Sequence, residues 1–370
     1  MKNNKLIVKT ISKSYPIYFK NNILSSAGKI IKKELPDVKK ICIISDNRLP
    51  NLLVKKLNRS LKKYDLKYYK LNTNEQTKSL KIANKIIEQL LKYNFNRSDC
   101  VVAFGGGVIG DLSAFIANLT KRGIKFVNIP TTLLAQVDAS IGGKTGINTN
   151  QGKNLVGTFY QPDLILNDMS LLKSLPHREM ISGYGEILKH SLISDKKFFL
   201  WLYKNGKEII NRKNNDKLKK AIIKSCKIKV HVVNKDEREK NLRMILNFGH
   251  TFAHGFERAK NFSKKINHGE AVLLGMMVAS ELSTRKKMLS TKELLQIKRH
   301  YFNLNLPSNI NKIFKKNEIK KIIHFMKKDK KNIDEKINLI LLEKIGKTTK
   351  PKTTAMKSNA IKKFLYSYYK

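Results

Sequence analysis

Three of the eight histidines lie close together in the second half of the sequence, with the spacing of metal ligands. His250 and His254 are four residues apart in NFGHTFAH, and His268 follows in HGE. Histidines at i and i+4 share one face of a helix and can bind one metal ion. Glu186, in GYGEILK, adds a carboxylate. The zinc-peptidase pattern H-E-x-x-H is not matched, which argues against peptide hydrolysis, but the cluster predicts a metal site.

A glycine-rich turn in the first half is typical of a nucleotide site. Gly105, Gly107 and Gly110 fit G-x-G-x-x-G after a predicted strand and before a predicted helix. Glycine lets a pyrophosphate approach the backbone, and the helix N-terminus offers N–H groups to it. The acidic residue expected about 20 positions later is missing. Asp46, at the end of an earlier predicted strand, is the better candidate for a ribose hydroxyl. The alternative is a tight turn that binds nothing.

Further candidate anion-binding residues follow this turn. GGKTG contains Lys144 and matches the second half of a phosphate-binding loop, but Asp138 stands where the first glycine of that loop belongs. Nucleoside triphosphate hydrolysis is therefore not favoured. Lys144 still suits a phosphate or carboxylate, and Lys153-Asn154 is a second candidate, with plain loop as its alternative. Read alone, Lys229 and the runs 236–243 and 327–331 indicate solvated surface.

The hydrophobic spacing predicts the scaffold that must position these residues. The first half alternates strands and helices, which indicates parallel βαβ units. Its predicted strands are 40–45, 66–71, 100–104 and 125–129, and its predicted helices are 51–61, 79–91 and 110–119. The second half has helical spacing, with predicted helices 177–193, 198–202, 218–233, 244–259, 268–286 and 360–368. We expect an α/β domain over residues 1–172 and an α-helical domain over residues 173–370.

Charge is the most unusual feature of the composition. The 370 residues include 75 Lys and Arg against 28 Asp and Glu, a formal net charge of +47, and 41% are hydrophobic. The composition is globular and the lysines are scattered, so we interpret the charge as a solvated surface. A charge that serves an anionic ligand or partner is the alternative. Nucleic-acid binding is not expected, because no stretch combines clustered cations with interleaved aromatic residues.

The cysteines and the apolar runs bear on the compartment. Cys42, Cys100 and Cys226 are far apart and form no C-x-x-C pair, which argues against a disulfide framework and favours a reducing compartment. No apolar run approaches the roughly 20 residues that span a bilayer. The N-terminus also lacks the apolar core of a signal peptide. We therefore expect a cytoplasmic protein with no membrane partner.

Ten strings, taken together and in order, resemble those of the 3-dehydroquinate synthases, a family of sugar-phosphate cyclases. They span residues 105–331 in the order of the family, and no single one would suffice. The strings are GGGVIGD, KRG, IPTTLLAQVDASIGGKTGIN, GKNLVGTFYQP, LPHRE, SGYGEILKH, DERE, LNFGHTFAHGFE, HGEAV and MKKDKK.

The resemblance implies a fold, an activity and its cofactors. The fold is an N-terminal Rossmann-like α/β domain followed by a helical domain, with the active site in the cleft between them. The activity is that of a carbon–oxygen lyase of the shikimate pathway, which leads to chorismate and the aromatic amino acids. It converts 3-deoxy-D-arabino-heptulosonate 7-phosphate into 3-dehydroquinate and phosphate by oxidation, β-elimination, reduction, ring opening and aldol closure. The implied cofactors are NAD and Zn²⁺ or Co²⁺, and the implied assembly is a homodimer.

The resemblance also assigns residues. The implied metal ligands are Glu186, His250 and His268, whereas His254 lines the phosphate pocket. NAD contacts fall on Asp46, Asn47, Glu75, Lys78, Gly106, Gly107, Val108, Asp111, Thr131, Thr132, Lys144, Lys153 and Ser174. Substrate contacts fall on Arg122, which is expected to reach the neighbouring subunit, and on Lys144, Asn154, Lys229, Arg243, Asn247, His254 and Lys330. The implied catalytic residues are Asp138, Lys144, Lys189, Glu239 and His254.

Three positions depart from the family pattern, and two other enzyme classes remain open. Asn74, Asn241 and Ser174 replace Gly, Gly and Thr, which weakens the NAD contacts but removes no charged group. One alternative is another sugar-phosphate cyclase, such as a 2-deoxy-scyllo-inosose or valiolone-type synthase. The other is a metal-dependent alcohol dehydrogenase of the glycerol dehydrogenase type. The residues at Lys229, Arg243 and His254 suit a carboxylate-bearing substrate, which favours 3-dehydroquinate synthase over the other cyclases.

Overall fold

The computed structural model describes residues 4–263, 265–327 and 336–369. The chain divides into two compact units, Met1–Pro176 and His177–Lys370. The first is an α/β unit and the second is built chiefly from helices, which confirms the fold class expected from the sequence.

A seven-stranded sheet forms the centre of the α/β unit. Its strands lie in the order β1-β2-β9-β6-β5-β3-β4, and all neighbours are parallel except the β1–β2 pair. The strands are β1 (Lys5–Lys9), β2 (Ser14–Phe19), β3 (Lys40–Asp46), β4 (Asp65–Leu71), β5 (Cys100–Gly105), β6 (Lys125–Pro130) and β9 (Leu164–Asn167). A separate hairpin pairs β7 (Ile147–Thr149) with β8 (Gly152–Val156). The helices are α1 (Ala27–Glu34), α2 (Asn51–Ser60), α3 (Leu80–Lys92) and α4 (Gly107–Leu119).

Both faces of the central strands are apolar because helices cover both sides of the sheet. Along β3, Ile41 and Ile43 pack into one core cluster, while Cys42 and Ile44 pack into the other. Successive side chains of a strand point to opposite faces, so a strand buried on both faces needs a continuous apolar run. The run KICIIS supplies it, and this is why the sequence predicted β3 well.

The second unit contains the helices α5 (His177–Ser194), α6 (Lys196–Ile210), α7 (Asn215–Lys235), α8 (His250–Ala259), α9 (His268–Arg285), α10 (Thr291–Asn303), α11 (Glu318–Lys327) and α12 (Ser358–Tyr366). Two short antiparallel ribbons accompany them: β10 (Lys336–Asn338) with β13 (Ala355–Lys357), and β11 (Leu342–Lys344) with β12 (Lys347–Thr348). The sequence predicted no strands here.

Three predicted helices differ clearly from the observed ones. The helix predicted over 198–202 covers only part of α6, Lys196–Ile210. The helix predicted over 244–259 is two elements, a 3₁₀ helix Leu242–Asn247 and α8, because Gly249 has a φ of +81° and interrupts the regular helix. The helix predicted over 110–119 begins earlier, at Gly107, so the glycine-rich turn itself forms its first turn. Among the described residues, no helix combines the length and the apolar character that crossing a bilayer requires.

His300 makes the stability of the helical unit sensitive to acid. This α10 side chain is fully buried, its Nε2 lies 2.8 Å from the Tyr184 hydroxyl, and burial lowers its pKa to about 4. Below pH 6.5 the imidazole is protonated in the unfolded chain but stays neutral in the folded chain. The contribution of neutral His300 to stability is therefore complete above pH 6.5 and is lost as the pH falls toward 4.

We expect the free energy of unfolding to fall by up to about 1.4 kcal/mol per pH unit in that window through this histidine. Urea titrations at pH 7 and pH 5, with chelator present, measure the loss for the parent chain and for His300→Gln. The variant is expected to be weaker at pH 7 but to lose less on acidification, whereas His231→Gln, at an exposed position of α7, should behave like the parent. An equal loss in His300→Gln and parent would contradict the assignment.

Candidate functional site

Three side chains from three helices of the second unit converge on one point. Glu186 lies in α5, and His250 and His268 are the first residues of α8 and α9. One potential ligand atom from each lies within 4.8 Å of the other two. Two imidazoles and one carboxylate are a common donor set for zinc. The structure thus assembles the ligand set that the resemblance implies.

The surroundings of the Glu186 carboxylate are the strongest evidence that a cation binds here. The residue has no exposed surface, and neither carboxylate oxygen has a hydrogen-bond partner of good geometry among the described residues. The ammonium of Lys189, one turn later and 1% exposed, forms an ion pair with one oxygen. The His250 Nε2 lies 3.7 Å from the other oxygen. A buried carboxylate is stable only beside compensating charge, which a divalent ion between these ligands would supply.

Close helix packing brings the ligands together, and glycines beside them permit it. A Cβ atom on Gly269, next to His268, would overlap with the backbone of Ser182 in α5. A Cβ atom on Gly249, next to His250, would lie 2.6–2.7 Å from atoms of Met276 in α9. The strings FGH and HGE, which carry the candidate ligands, therefore also carry the glycines that let α8 approach α9 and α9 approach α5.

The second nitrogen of each imidazole faces an acceptor of its own. The His250 Nδ1 lies 3.4 Å from the Phe248 carbonyl, and the His268 Nδ1 lies 3.2 Å from a carboxylate oxygen of Glu257. Burial lowers the pKa of the His268 imidazole, but Glu257 and Glu186 raise it more, so the pKa lies above its ordinary value. Sequence reasoning missed Glu257. Its signal is its spacing, seven residues or two helical turns after His250.

His254 lies one helical turn after His250 but is not grouped with the three candidate ligands. Its ring centroid is 5.8 Å from that of His250, while His268 approaches His250 to 5.4 Å from the other helix. Spacing alone suggested His250 with His254 as the metal-binding pair. In the structure, the buried Glu186 carboxylate is grouped with His250 and His268 instead.

In the α/β unit, the glycine-rich turn lies where neighbouring parallel strands end. Gly105 ends β5, and Asp46 and Pro130 end the strands on either side of it, β3 and β6. Ligands of open parallel sheets bind at this edge. Gly106 caps α4 without a side-chain hydrogen bond, and a Cβ atom on it would lie 3.2 Å from Thr132. The bare helix N-terminus fits a pyrophosphate.

Asp46 is already held by its neighbours. The Arg48 guanidinium donates to both carboxylate oxygens, at 3.0 and 2.7 Å, and the Thr73 hydroxyl donates to one of them. Burial raises the pKa of Asp46, but these partners lower it more, so the pKa lies below its ordinary value. Asp46 is thus an ionised acceptor at neutral pH at the strand end. The adjoining Asn47 donates through its side chain to Asn72 at 2.9 Å.

Other predicted cofactor residues meet in polar clusters. The Lys78 ammonium, 4% exposed, lies 2.6 Å from Asp111 and 2.5 Å from the Asn154 side chain. The Lys153 ammonium lies 3.1 Å from Glu75. Asn154 has a φ of +54°, an uncommon conformation for asparagine outside turns and functional sites. The remaining members of the predicted set lie at the glycine-rich turn, after β6 and at the end of the 3₁₀ helix Met169–Ser174; they are Gly107, Val108, Thr131, Thr132 and Ser174.

Lys144 and Asp138 follow the end of β6. Asp138 lies in the π-helical turn Ala135–Ala139, and Lys144 bridges to Phe159. Lys144 and Asp111 line one small cavity of about 10 Å³, room for about one water molecule. Arg122 lies on an exposed turn in which its own φ is +61°.

The DERE run is structured rather than plain solvated surface. Asp236 accepts hydrogen bonds from the backbone N–H groups of Lys240, Asn241 and Arg243, at 2.8–3.0 Å. The Asn247 side chain donates to Glu239 at 2.6 Å. Glu239 has a φ of +56°. The predicted substrate residues Glu239 and Asn247 are therefore in contact. Lys330 lies outside the described residues.

Burial separates a few cations from the many. Among the described residues, the buried cationic side chains are Lys78, Lys189, Lys229 and Arg243, each 5% exposed or less. All four belong to the set of site residues expected from the sequence. Reading Lys229 and Arg243 as solvated surface, as their local sequence suggested, was therefore wrong.

Known proteins match most of the chain. Residues 68–182 match the family described as 3-dehydroquinate synthase N-terminal, and residues 183–332 match 3-dehydroquinate synthase C-terminal. A 3-dehydroquinate synthase of Pelagibacter ubique is 52% identical over 342 residues, which cover 92% of this chain and 93% of the relative.

Solved structures with the same fold include other cyclases. A 2-deoxy-scyllo-inosose synthase complexed with carbaglucose-6-phosphate, NAD⁺ and Co²⁺ is 25% identical, with a TM-score of 0.87 over 98% of this chain and 99% of that one. A 2-epi-5-epi-valiolone synthase from Streptomyces hygroscopicus with NAD⁺ and Zn²⁺ bound is 24% identical, with a TM-score of 0.84 over 96% and 97%. The second likeness shows the fold alone.

Two glycine variants test whether helix packing shapes the metal site. Gly269→Ala would push α9 away from the backbone of α5, whereas Gly185→Ala would meet the Leu273 side chain at 3.1 Å, which can move. We expect Gly269→Ala to lower the free energy of unfolding by about 1–3 kcal/mol and the affinity for Zn²⁺ by about tenfold or more. Gly185→Ala should change both much less. Chelator competition and urea unfolding measure the two quantities, and equal effects of the two variants would refute the packing argument.

Proposed function

We propose that this chain, which belongs to the 3-dehydroquinate synthase family, converts 3-deoxy-D-arabino-heptulosonate 7-phosphate into 3-dehydroquinate and inorganic phosphate. It would thus act as a carbon–oxygen lyase. The buried Glu186 carboxylate facing His250 and His268 carries the proposal, because it gives the family's ligand set a physical reason to hold a cation. The family match over residues 68–332 supports the rest.

Two groups are expected to work with the chain. Glu186, His250 and His268 fit a zinc or cobalt ion, and the edge of the sheet around Gly105–Gly107, Asp46 and Lys78 fits NAD. When bound, the metal supplies polarisation of a substrate hydroxyl, and NAD supplies a reversible hydride acceptor at C5. The substrate is oxidised and later reduced at the same carbon, so no net NADH forms.

The cations of the chain are proposed to bind the two anionic ends of the substrate. Lys229 and Arg243 would hold the carboxylate; their burial supports this, because a buried cation lacks water as a competing partner. The guanidinium of Arg243 suits a bidentate contact. The phosphate would be held by Lys144, Asn154, Asn247, His254 and Lys330.

The same phosphate ligands are proposed to assist elimination. Oxidation at C5 acidifies the C6–H bond. The C6 proton then passes to an oxygen of the phosphate, the C–H electron pair forms the C6–C7 double bond, and the C7–O bond to phosphate breaks. The departing dianion gains most from donors fixed in advance around its oxygens. Asp138, Lys189 and Glu239 would orient the ring hydroxyls. The hydrogen bond from Asn247 to Glu239 supports a link between the phosphate ligands and the residues that orient the hydroxyls. Ring opening and aldol closure then follow on the same substrate.

Phosphate release by the purified chain tests the proposal directly. With the heptulosonate, NAD⁺ and Zn²⁺, we expect equal amounts of phosphate and dehydroquinate, and no accumulation of NADH. Chelation or Glu186→Gln should lower kcat/KM by about a hundredfold or more, since metal polarisation contributes several kcal/mol. Glu343→Gln, in the ribbon strand β11, is the matched control and should retain activity.

The same assay distinguishes the alternatives. Turnover of glucose 6-phosphate or sedoheptulose 7-phosphate, with none of the heptulosonate, would assign the chain to another sugar-phosphate cyclase. Accumulation of NADH with a simple polyol would indicate a dehydrogenase of the glycerol type. Full activity of Glu186→Gln in the presence of chelator would refute the metal assignment.

The chain is further proposed to act as a cytoplasmic homodimer in which Arg122 reaches the phosphate pocket of the neighbouring subunit. Lys121, Arg122 and Gly123 have φ values of +52°, +61° and +115°, and an exposed guanidinium on such a strained turn supports a role outside its own fold. The cysteines are buried and form no disulfide among the described residues, which is compatible with a reducing compartment.

Mixing two inactive variants tests the dimer. Arg122→Ala leaves Glu186 intact, and Glu186→Gln leaves Arg122 intact, so a mixed dimer has one complete site. An equal mixture, after subunit exchange, should regain about one quarter of the parent activity. No gain in a mixture that demonstrably contains mixed dimers would show that Arg122 serves its own subunit or none.

A further inference from the structure

The carboxylate of Glu257 holds one of the three candidate metal ligands from behind. It lies 3.2 Å from the Nδ1 of His268, and its side chain is 9% exposed. Because Nδ1 faces Glu257, Nε2 is the nitrogen left to bind an ion. Metal-binding histidines generally donate their second N–H to a carboxylate or carbonyl, which fixes the tautomer and the ring orientation.

Glu257 also joins the two helices that carry the histidine ligands. It lies in α8, two turns after His250, while His268 begins α9. A ring at the first residue of a helix has no preceding helical turn to hold it. The Glu257 contact therefore supplies an orientation that the backbone of α9 does not.

We propose that Glu257 is a positioning residue for the metal centre, which keeps His268 protonated on Nδ1 and presents its Nε2 to the ion. The inference rests on the proposed function, since it concerns the same metal. In this role Glu257 acts through the His268 ring, which it contacts, and is not itself a metal ligand. Its loss should weaken and distort the site without removing a ligand.

Metal binding to the full chain, with neither NAD nor substrate present, tests the role. Zn²⁺ affinity is measured by chelator competition for the parent, Glu257→Gln and Glu257→Ala. We expect affinity to fall about 10- to 100-fold in Glu257→Ala, and by less in Glu257→Gln, whose amide oxygen can still accept from Nδ1. Glu318→Gln, which loses the ion pair of Glu318 with Lys260 at 2.8 Å in the same unit, should bind Zn²⁺ like the parent.

The visible spectrum of the Co²⁺-loaded chain gives a readout that a purely structural role would not move. Glu257→Ala should change its bands, while circular dichroism shows the chain folded and Glu318→Gln keeps the parent spectrum. Zn²⁺ affinities within threefold of the parent for both Glu257 variants, with unchanged Co²⁺ spectra, would overturn the inference. If the parent releases phosphate normally in that case, the proposed function stands. If His268→Ala binds Zn²⁺ like the parent, the metal assignment and this inference both fail.

Discussion

The candidate metal site of the helical unit depends on the burial of one carboxylate. Moving an ionised carboxylate out of water is opposed by several kcal/mol even after relaxation, unless a charge of opposite sign lies beside it. Glu186 meets Lys189 on its own helix and two imidazoles from two others. One ammonium can neutralise the carboxylate but cannot engage both of its oxygens and both histidines. A divalent ion can, so the cluster is explained best as a site completed by metal.

That cluster can form only if three helices approach closely at one point, and this requirement accounts for the glycines next to the ligands. At Gly249 a side chain would be excluded both by the backbone conformation and by Met276. At Gly269 a side chain would meet the backbone of another helix, which cannot move aside. The ligands therefore owe their positions to residues that make no contact with an ion. The short strings in which ligand and glycine alternate encode the chemistry together with the packing.

Sequence reasoning found the elements whose local pattern and burial agree. The strand β3 and the helix α5 were predicted to within a few residues, because their apolar spacing reflects the faces they bury. It failed where tertiary packing decides. The break at Gly249 depends on α9, and β1 buries only Val8, so neither had a distinct local signal. The strand β2 was missed although its buried Tyr15, Ile17 and Phe19 alternate as a strand requires. Glu257 was missed because a carboxylate behind a histidine acts through a contact that only the fold brings about.

Charge gives the clearest case of a property that the sequence states and only the fold explains. The net charge of +47 does not show which lysines belong to a site and which are merely solvated, since lysines occur throughout the chain. Burial can, because a cation leaves water only where fixed partners replace its hydration. Lys78 has Asp111 and Asn154, and Lys189 has Glu186. Partners this close hold the two ammonium groups of Lys78 and Lys189 in place before any ligand arrives, so the fold itself orients these two cations.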